Sequence, residues 1–461
     1  MLRLTWVQPE DLLGHELRQA AEDGREPWAI AARWRAAGGP EAPARAGASA
    51  HRVSGYLRQL ADDLLDELAD LPSGLADDEP TDLDAVRRLC APAYHRTGSP
   101  AAAPAGPDRS ALEAAWTGRA VGCLLGKPVE KLPLHAIRAL ARAAGNWPLD
   151  DYFTARGVPD RLLEEHPWNR RSASTSLAEN IDGMPEDDDL NYPLLNLLLI
   201  QRHGRAFDTA DVARLWLDEL PAGRTFTAER VAYRNLLSGI EPPHTARHRN
   251  PFREWIGALI RADVHGWTNP GDPAAAAEQA YRDAALTHTA NGVYAAMFTA
   301  AVIAAAATGG HDVHACLRAG LSVIPPRSRL ARAVTHAVRL AEAHADFDTV
   351  VDELHTTHKA AHWVHAVPNT ALIAAALTHA DGDFTGSVCR AVSGGWDTDS
   401  NGATAGSVAG LLAGRPDALP DHWTAPLKNR LATSVAGFDG TGFDTLAHLT
   451  WSLTPREASR P

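Results

Sequence analysis

The chain has 461 residues, of which 45% are hydrophobic, and a formal net charge of −13. This is enough apolar material for a substantial core, and it argues against a nucleic-acid binder, which carries a basic face. The four cysteines, Cys90, Cys123, Cys316 and Cys389, form no CxxC pair and read as reduced thiols rather than a disulfide framework.

From the N-terminus, Met1 to Asp11 lacks the apolar run of a signal peptide, which points to the cytoplasm. Alanine and leucine dominate, β-branched alternation is scarce, and apolar residues recur at three- and four-residue spacing. Examples are Tyr56-Leu57, Leu60, Leu64-Leu65 and Leu68, and later Leu330, Val334, Ala337-Val338 and Ala341. The expected fold class is all-α. The first ninety or so residues predict two or three amphipathic helices, broken by the turn-rich Ala37 to Pro43. A second break, Thr97 to Pro107, packs three prolines and two glycines into eleven residues. It divides an N-terminal helical extension, residues 1–105, from a second domain, residues 109–452.

After that break Gly118, Gly122 and Gly126 recur every four residues, ahead of Lys127-Pro128-Val129-Glu130. On a helix they share one face and let another backbone approach. The same spacing returns at Gly402, Gly406 and Gly410. Each glycine costs about 1 kcal/mol against alanine in a helix, so the pair of stripes predicts close helix contacts. Between them, Thr287 to Ala307 is uncharged apart from His288. Its alanines, with Asn291 and Gly292, read as a buried helix rather than a membrane span. The last ten residues, Ser452 to Pro461, read as frayed.

Two acidic clusters stand out, Glu186-Asp187-Asp188-Asp189 and Gly394-Gly395-Trp396-Asp397-Thr398-Asp399-Ser400. Acidic residues also suit a solvated helix start, where the macrodipole favours them. Pro193 fits the first turn of a helix after the first cluster, and Ser400 or Asn401 is a candidate N-cap after the second. Asp397 and Asp399, however, lie in small apolar surroundings, and no Lys or Arg occurs between Arg390 and Arg415. Carboxylates in such a setting need a partner. Oxygen ligands without Cys or His suit a hard cation, Mg²⁺ or Mn²⁺, and neither cluster alone fills six coordination sites, so the two are expected to meet. His355, His358, His362 and His365 compete as a histidine stripe on one helical face, read either as a zinc-type site or as one helix of a histidine-rich chain. His365 and Asn369 precede the second cluster and border the expected pocket. No Ser-His-Asp or GxSxG arrangement is present.

The ordered set of motifs resembles the ADP-ribosylglycohydrolase family, whose members include the enzyme that removes ADP-ribose from dinitrogenase reductase. Gly118 to Glu130 resembles its glycine-spaced first helix ending in Glu, and Glu186 to Asp189 its Thr-Asp-Asp-Thr segment. Gly394 to Ser400 with Gly402 to Gly410 resembles its Gly-Gly-Asp-Thr-Asp-Thr and small-residue helix. Gly257 to Arg261 and Leu286-Thr287-His288 are similar to two weaker family elements. The resemblance spans roughly residues 110 to 415. This chain departs from the pattern at Glu186, Asp189 and Ser400, each in place of a threonine, and at the inserted Trp396.

The resemblance implies an all-α, Mg²⁺-dependent hydrolase holding two ions, with Mn²⁺ an alternative. It would cleave the ribosyl bond of an ADP-ribosylated protein side chain, or of an ADP-ribose- or nucleoside-like small molecule. The implied metal ligands are Glu186, Asp187, Asp188, Asp397, Asp399 and Ser400. Glu130 and Asp188 are the implied catalytic carboxylates, Glu130 as ligand, gate or general base. His288, Asn369 and Trp396 are the expected substrate-binding residues, with Trp396 either walling the pocket or packed into the core. Another ribosyl metabolite as substrate and a non-catalytic binding protein on the same fold are the rival readings.

Overall fold

The computed structural model describes residues 4–42, 53–94, 107–310 and 312–455. The helical periodicity is realised throughout: among the described residues every regular element is an α- or 3₁₀-helix, with two isolated β-bridges. The proline-rich break at Thr97 to Pro107 falls almost wholly outside the described residues, as do the last six of the ten C-terminal residues; Ser452 closes a helix, Phe443–Ser452.

The first ninety residues contain more helix than their pattern predicts. Pro9–Glu22, Trp28–Ala36 and Gly55–Ala69 are joined by two short helices, Leu83–Leu89 and Ala91–Tyr94. They share the core with the rest of the chain, through Leu12, Leu13, Leu64, Leu65 and Leu68. Ion pairs fix the contact. Arg253 bonds Glu16 at 2.7 Å and Asp23 at 2.6 Å, and Gln19 donates to Glu254 at 2.8 Å.

Helix α1 (Arg109–Gly126) leads into the site and α2 (Asp188–His203) starts beside it; α3 (Ala290–Ala306) and α4 (Ala366–His379) pack against α5 (Thr398–Ala413), which also starts there. The uncharged α3 is buried along almost its whole length, and no described helix is long and apolar enough to cross a membrane.

The two glycine stripes face each other. A Cβ on Gly118 would come within 2.3 Å of the Gly406 carbonyl oxygen, and one on Gly122 within 1.9 Å of that of Gly402. Pairing falls in one stripe as it rises in the other, so α1 and α5 run antiparallel. The C-terminal end of α1 therefore meets the N-terminal end of α5, where Thr398 Oγ1 donates to the Gly126 carbonyl at 2.8 Å. This crossing delivers Glu130 to the Asp397–Ser400 segment.

Helix α2 begins earlier than its proline suggests. It starts at Asp188, so Pro193 lies inside it rather than in its first turn. A proline there leaves the carbonyl four residues back without its helical donor. That carbonyl belongs to Asp189, and it accepts from Arg119 Nε at 2.7 Å instead. Likewise α5 starts at Thr398 with Asp397 at the N-cap position, three residues before Ser400 and four before Asn401, the expected caps.

Candidate active site

Asp187 occupies the N-cap of α2, where its carboxylate accepts from the Asp189 amide at 2.9 Å. Ser400 Oγ, from the first turn of α5, donates to Asp189 Oδ2 at 3.3 Å, which joins the two acidic clusters directly. Two groups hold their ligating atoms within 4.8 Å of one another: Cys123 with Asp187 and Asp189, and Glu130 with Asp397 and Asp399. A cavity of about 400 Å³ opens onto Glu130, Glu186, Asp187, Asp188, Asp397, Asp399 and Ser400. Its other walls include Arg171, Arg224, Phe226, Glu229, Trp363 and, from the N-terminal extension, Trp6.

The three expected substrate-binding residues are absent from that lining, because each is held behind it. Asn369 is fully buried: its Oδ1 accepts from the Asp397 amide at 3.1 Å and from Asn401 at 2.7 Å, and its amide group donates to the carbonyls of Trp363 and His365. It braces the start of α5. Trp396 takes a left-handed φ of 59° that turns its ring away, flat against His355 at 4.1 Å and 12°. Trp363 and Trp6 are the indoles that line the cavity. His288 is fully buried, with Nδ1 2.6 Å from Thr287 Oγ1 and Nε2 4.0 Å from Glu229, which does line the cavity.

The histidine stripe is not one face. Its helix ends at Thr357, so His358 caps it and His362 and His365 follow in the next turn. His355 bonds the Gly394 carbonyl, His362 stacks on Trp255 at 4.2 Å, and His365 caps α4. Among the described residues none of the four joins a metal-ligating group.

Basic side chains from distant segments enter the acidic site, which sequence proximity did not reveal. Lys127 pairs with Asp187. Arg119, fully buried, pairs with Asp189 at 3.3 Å and Asp263 at 2.8 Å. Lys131 lies 2.5 Å from Glu130, whose other oxygen accepts from Asn169 at 2.7 Å. Arg224 holds Glu186 at 3.0 Å. One signal was available: an arginine inside a small-residue, buried helix such as α1 requires a carboxylate.

The remaining carboxylates, Asp188, Asp397 and Asp399, have no ion pair among the described residues. Burial, then neighbouring carboxylates, pushes Asp188 and Asp397 well above the usual range. Burial, Glu130 and Asp187 raise Asp399 to about 7. For Asp187 burial acts the same way, but the Lys127 ammonium overrides it and holds the group below its ordinary value. Burial thus favours the protonated forms of these unpaired acids, and a bound cation would favour their carboxylates instead. The pocket donors are oxygens and their charge is in excess, so these residues fit a hard divalent ion.

The profile of the ADP-ribosylglycohydrolase family matches residues 104–456, well over half of the chain. The chain belongs to this family. It is a glycosyl hydrolase of the ADP-ribosylglycohydrolase type, on an all-helical fold. No curated protein matches it. A solved structure described as an ADP-ribosylglycohydrolase-related protein complex is 21% identical, covering 75% of this chain and 99% of that one, with a TM-score of 0.48.

Behind the cavity of this glycohydrolase, the Gly257 to Arg261 element supplies a second buried charge network. Arg261 reaches Asp283 at 2.8 Å and Glu229 at 3.1 Å. One guanidinium serves two carboxylates. Burial raises Glu229 to about 7 against the pull of Arg261, whereas Asp283 is held below its ordinary value because Arg261 and His265 together outweigh its burial. The folded state thus keeps the Glu229 proton to higher pH than the unfolded chain, whose value is 4.5. Stability then falls as pH rises through that window. Glu229→Gln should remove this part of the decline, so its melting temperature relative to the parent should rise between pH 5 and pH 8. Parallel melting curves at the two pH values would show that Glu229 is ionised throughout.

Proposed function

We propose that this glycohydrolase is Mg²⁺-dependent and cleaves the ribosyl glycosidic bond of an ADP-ribosylated protein side chain or small molecule. The observation that carries this reading is the convergence of Glu130, Asp188, Asp397, Asp399 and Ser400 on one cavity, with three of the carboxylates unpaired. Members of this family depend on metal ions. Asp188, Asp397, Asp399 and Ser400, with Glu130 at the edge, are the residues that would hold a cation. When bound, it supplies Lewis-acid polarisation and orientation of the ribose hydroxyls.

The chain's own groups account for the rest of the chemistry. Breaking a ribosyl bond builds positive charge at the anomeric carbon, and a carboxylate-lined wall stabilises that charge electrostatically. Glu130 has both oxygens engaged, by Lys131 and Asn169, so it is fixed in orientation and positions the substrate. Asp188 carries no ion pair and is the carboxylate that takes the proton of the attacking water. Arg171 and Arg224 on the wall suit the anionic phosphates of the substrate, and Trp363 and Trp6 offer flat apolar surface to its rings. In this reading the N-terminal extension covers part of the pocket.

A panel of ADP-ribosylated arginine, serine and small-molecule substrates, incubated with and without Mg²⁺, tests the reading. Release of free ADP-ribose from at least one, only with the ion, is the expected result. Ion-independent release, or none from the whole panel, would overturn it.

A further inference from the structure

The two acidic groups differ in a way that bears on how many ions they take. In the group on the α2 side, every carboxylate but Asp188 already has a cation from the chain: Glu186 has Arg224, Asp189 has Arg119 and Asp187 has Lys127. In the other group only Glu130 has one. Its partner Lys131 has a side chain 41% exposed, against 9% for Lys127.

We infer that this chain holds one divalent cation rather than two, because the Lys127 ammonium occupies the carboxylate that a second ion would need. The inference rests on the metal-dependent reading above. Lys127 follows directly on Gly126 at the end of α1, where a Cβ on that glycine would lie 2.3 Å from the Thr398 carbonyl carbon. The Lys127 carbonyl is tied down by Ser172 Oγ at 2.8 Å. Its side chain is 9% exposed, and besides Asp187 its ammonium lies 3.4 Å from the Glu186 carbonyl oxygen. Lys127 borders the cavity, but with its backbone anchored and its side chain 9% exposed its ammonium rests on Asp187.

Arg119 is equally fixed. It is fully buried, and it also donates to Asp263 at 2.8 Å and to the Ile260 carbonyl at 2.7 Å. A second divalent ion would have to displace a buried ammonium and lie beside a buried guanidinium, with like charges opposing it. The carboxylates left over, Asp188, Asp397 and Asp399, make one cation's worth of ligands, with Ser400 adding a hydroxyl.

The test is a metal count on the full chain. Parent protein, Lys127→Met, Lys127→Gln and Lys127→Arg are dialysed against Mn²⁺, and bound metal per chain is read by elemental analysis and native mass spectrometry. Helicity is recorded for each. One Mn²⁺ in the parent and in Lys127→Arg, with two in Lys127→Met, is the expected result. Lys127→Gln keeps a donor for Asp187 without a charge and is likewise expected to bind two, so it carries the test where Lys127→Met does not fold. Two ions in the parent overturn the inference and leave the metal-dependent reading standing. No ion in the parent overturns both. One ion in every variant shows that Lys127 does not set the count.

Discussion

Gly122→Ala should leave little or no folded protein, while Gly55→Ala is expected to be nearly silent. The added methyl at Gly122 would lie 1.9 Å from the Gly402 carbonyl oxygen and 2.3 Å from its carbon. Both are backbone atoms, so no side chain can turn aside; α1 and α5 would have to separate. Overpacking a core usually costs about 1–3 kcal/mol, and more when backbone must move. Domains of this kind hold only about 5–15 kcal/mol in total. Any separation also withdraws Glu130 from Asp397 and Asp399, so surviving folded protein should lose activity. A Cβ on Gly55 meets nothing within 4 Å, and alanine there gains helix propensity. Soluble yield, thermal unfolding and turnover of the two variants decide it. A Gly122→Ala protein with parental melting temperature would mean that the helices are not packed this closely.

The glycine stripes were legible because close packing of two helices leaves a mark at a fixed spacing, and periodicity is what a sequence displays. The all-helical fold was legible for the same reason. The acidic clusters were conspicuous as local runs, and the structure draws them into one cavity. Their counter-charges were not legible. Arg119, Lys127 and Lys131 act on carboxylates some 60 or more positions away or, for Lys131, on a neighbour within an unremarkable stretch. No period or motif marks such pairings. Asn369 and His288 fall near the site but behind its wall, since sequence position does not say which layer a side chain occupies. Trp396 has a left-handed φ and stacks on His355 outside the cavity lining, a backbone conformation that its residue type does not announce. Trp6 lies outside the span of the family resemblance, and only the packing of the extension onto the core brings it to the cavity.

Asp399→Asn should abolish Mg²⁺-dependent turnover, by about 10³-fold or more if the carboxylate both binds the ion and orients the substrate, while leaving the metal-free protein as stable as the parent or more so. Asparagine keeps the size and removes the charge. In the parent, burial, Glu130 and Asp187 hold the Asp399 pKa at about 7 against an ordinary 3.8. The folded state therefore binds this proton more tightly than the unfolded chain, and ionising it costs stability as pH climbs from about 4 to about 7. The variant carries no such penalty. Its metal-free melting temperature should thus match the parent's near pH 4 and exceed it at pH 8, the gap reflecting at most a few kcal/mol. With Mg²⁺ the order should invert. The parent gains stability in proportion to ion binding, and the variant, short of one ligand, gains less. Two unfolding series across pH, one with a chelator and one with saturating Mg²⁺, measure all of this on one preparation. An Asp399→Asn protein with the full Mg²⁺ shift would remove Asp399 from the ligand set. A metal-free variant less stable than the parent at pH 8 would mean that the carboxylate stabilises the fold, so that the strain expected of three unpaired, buried acids is not there.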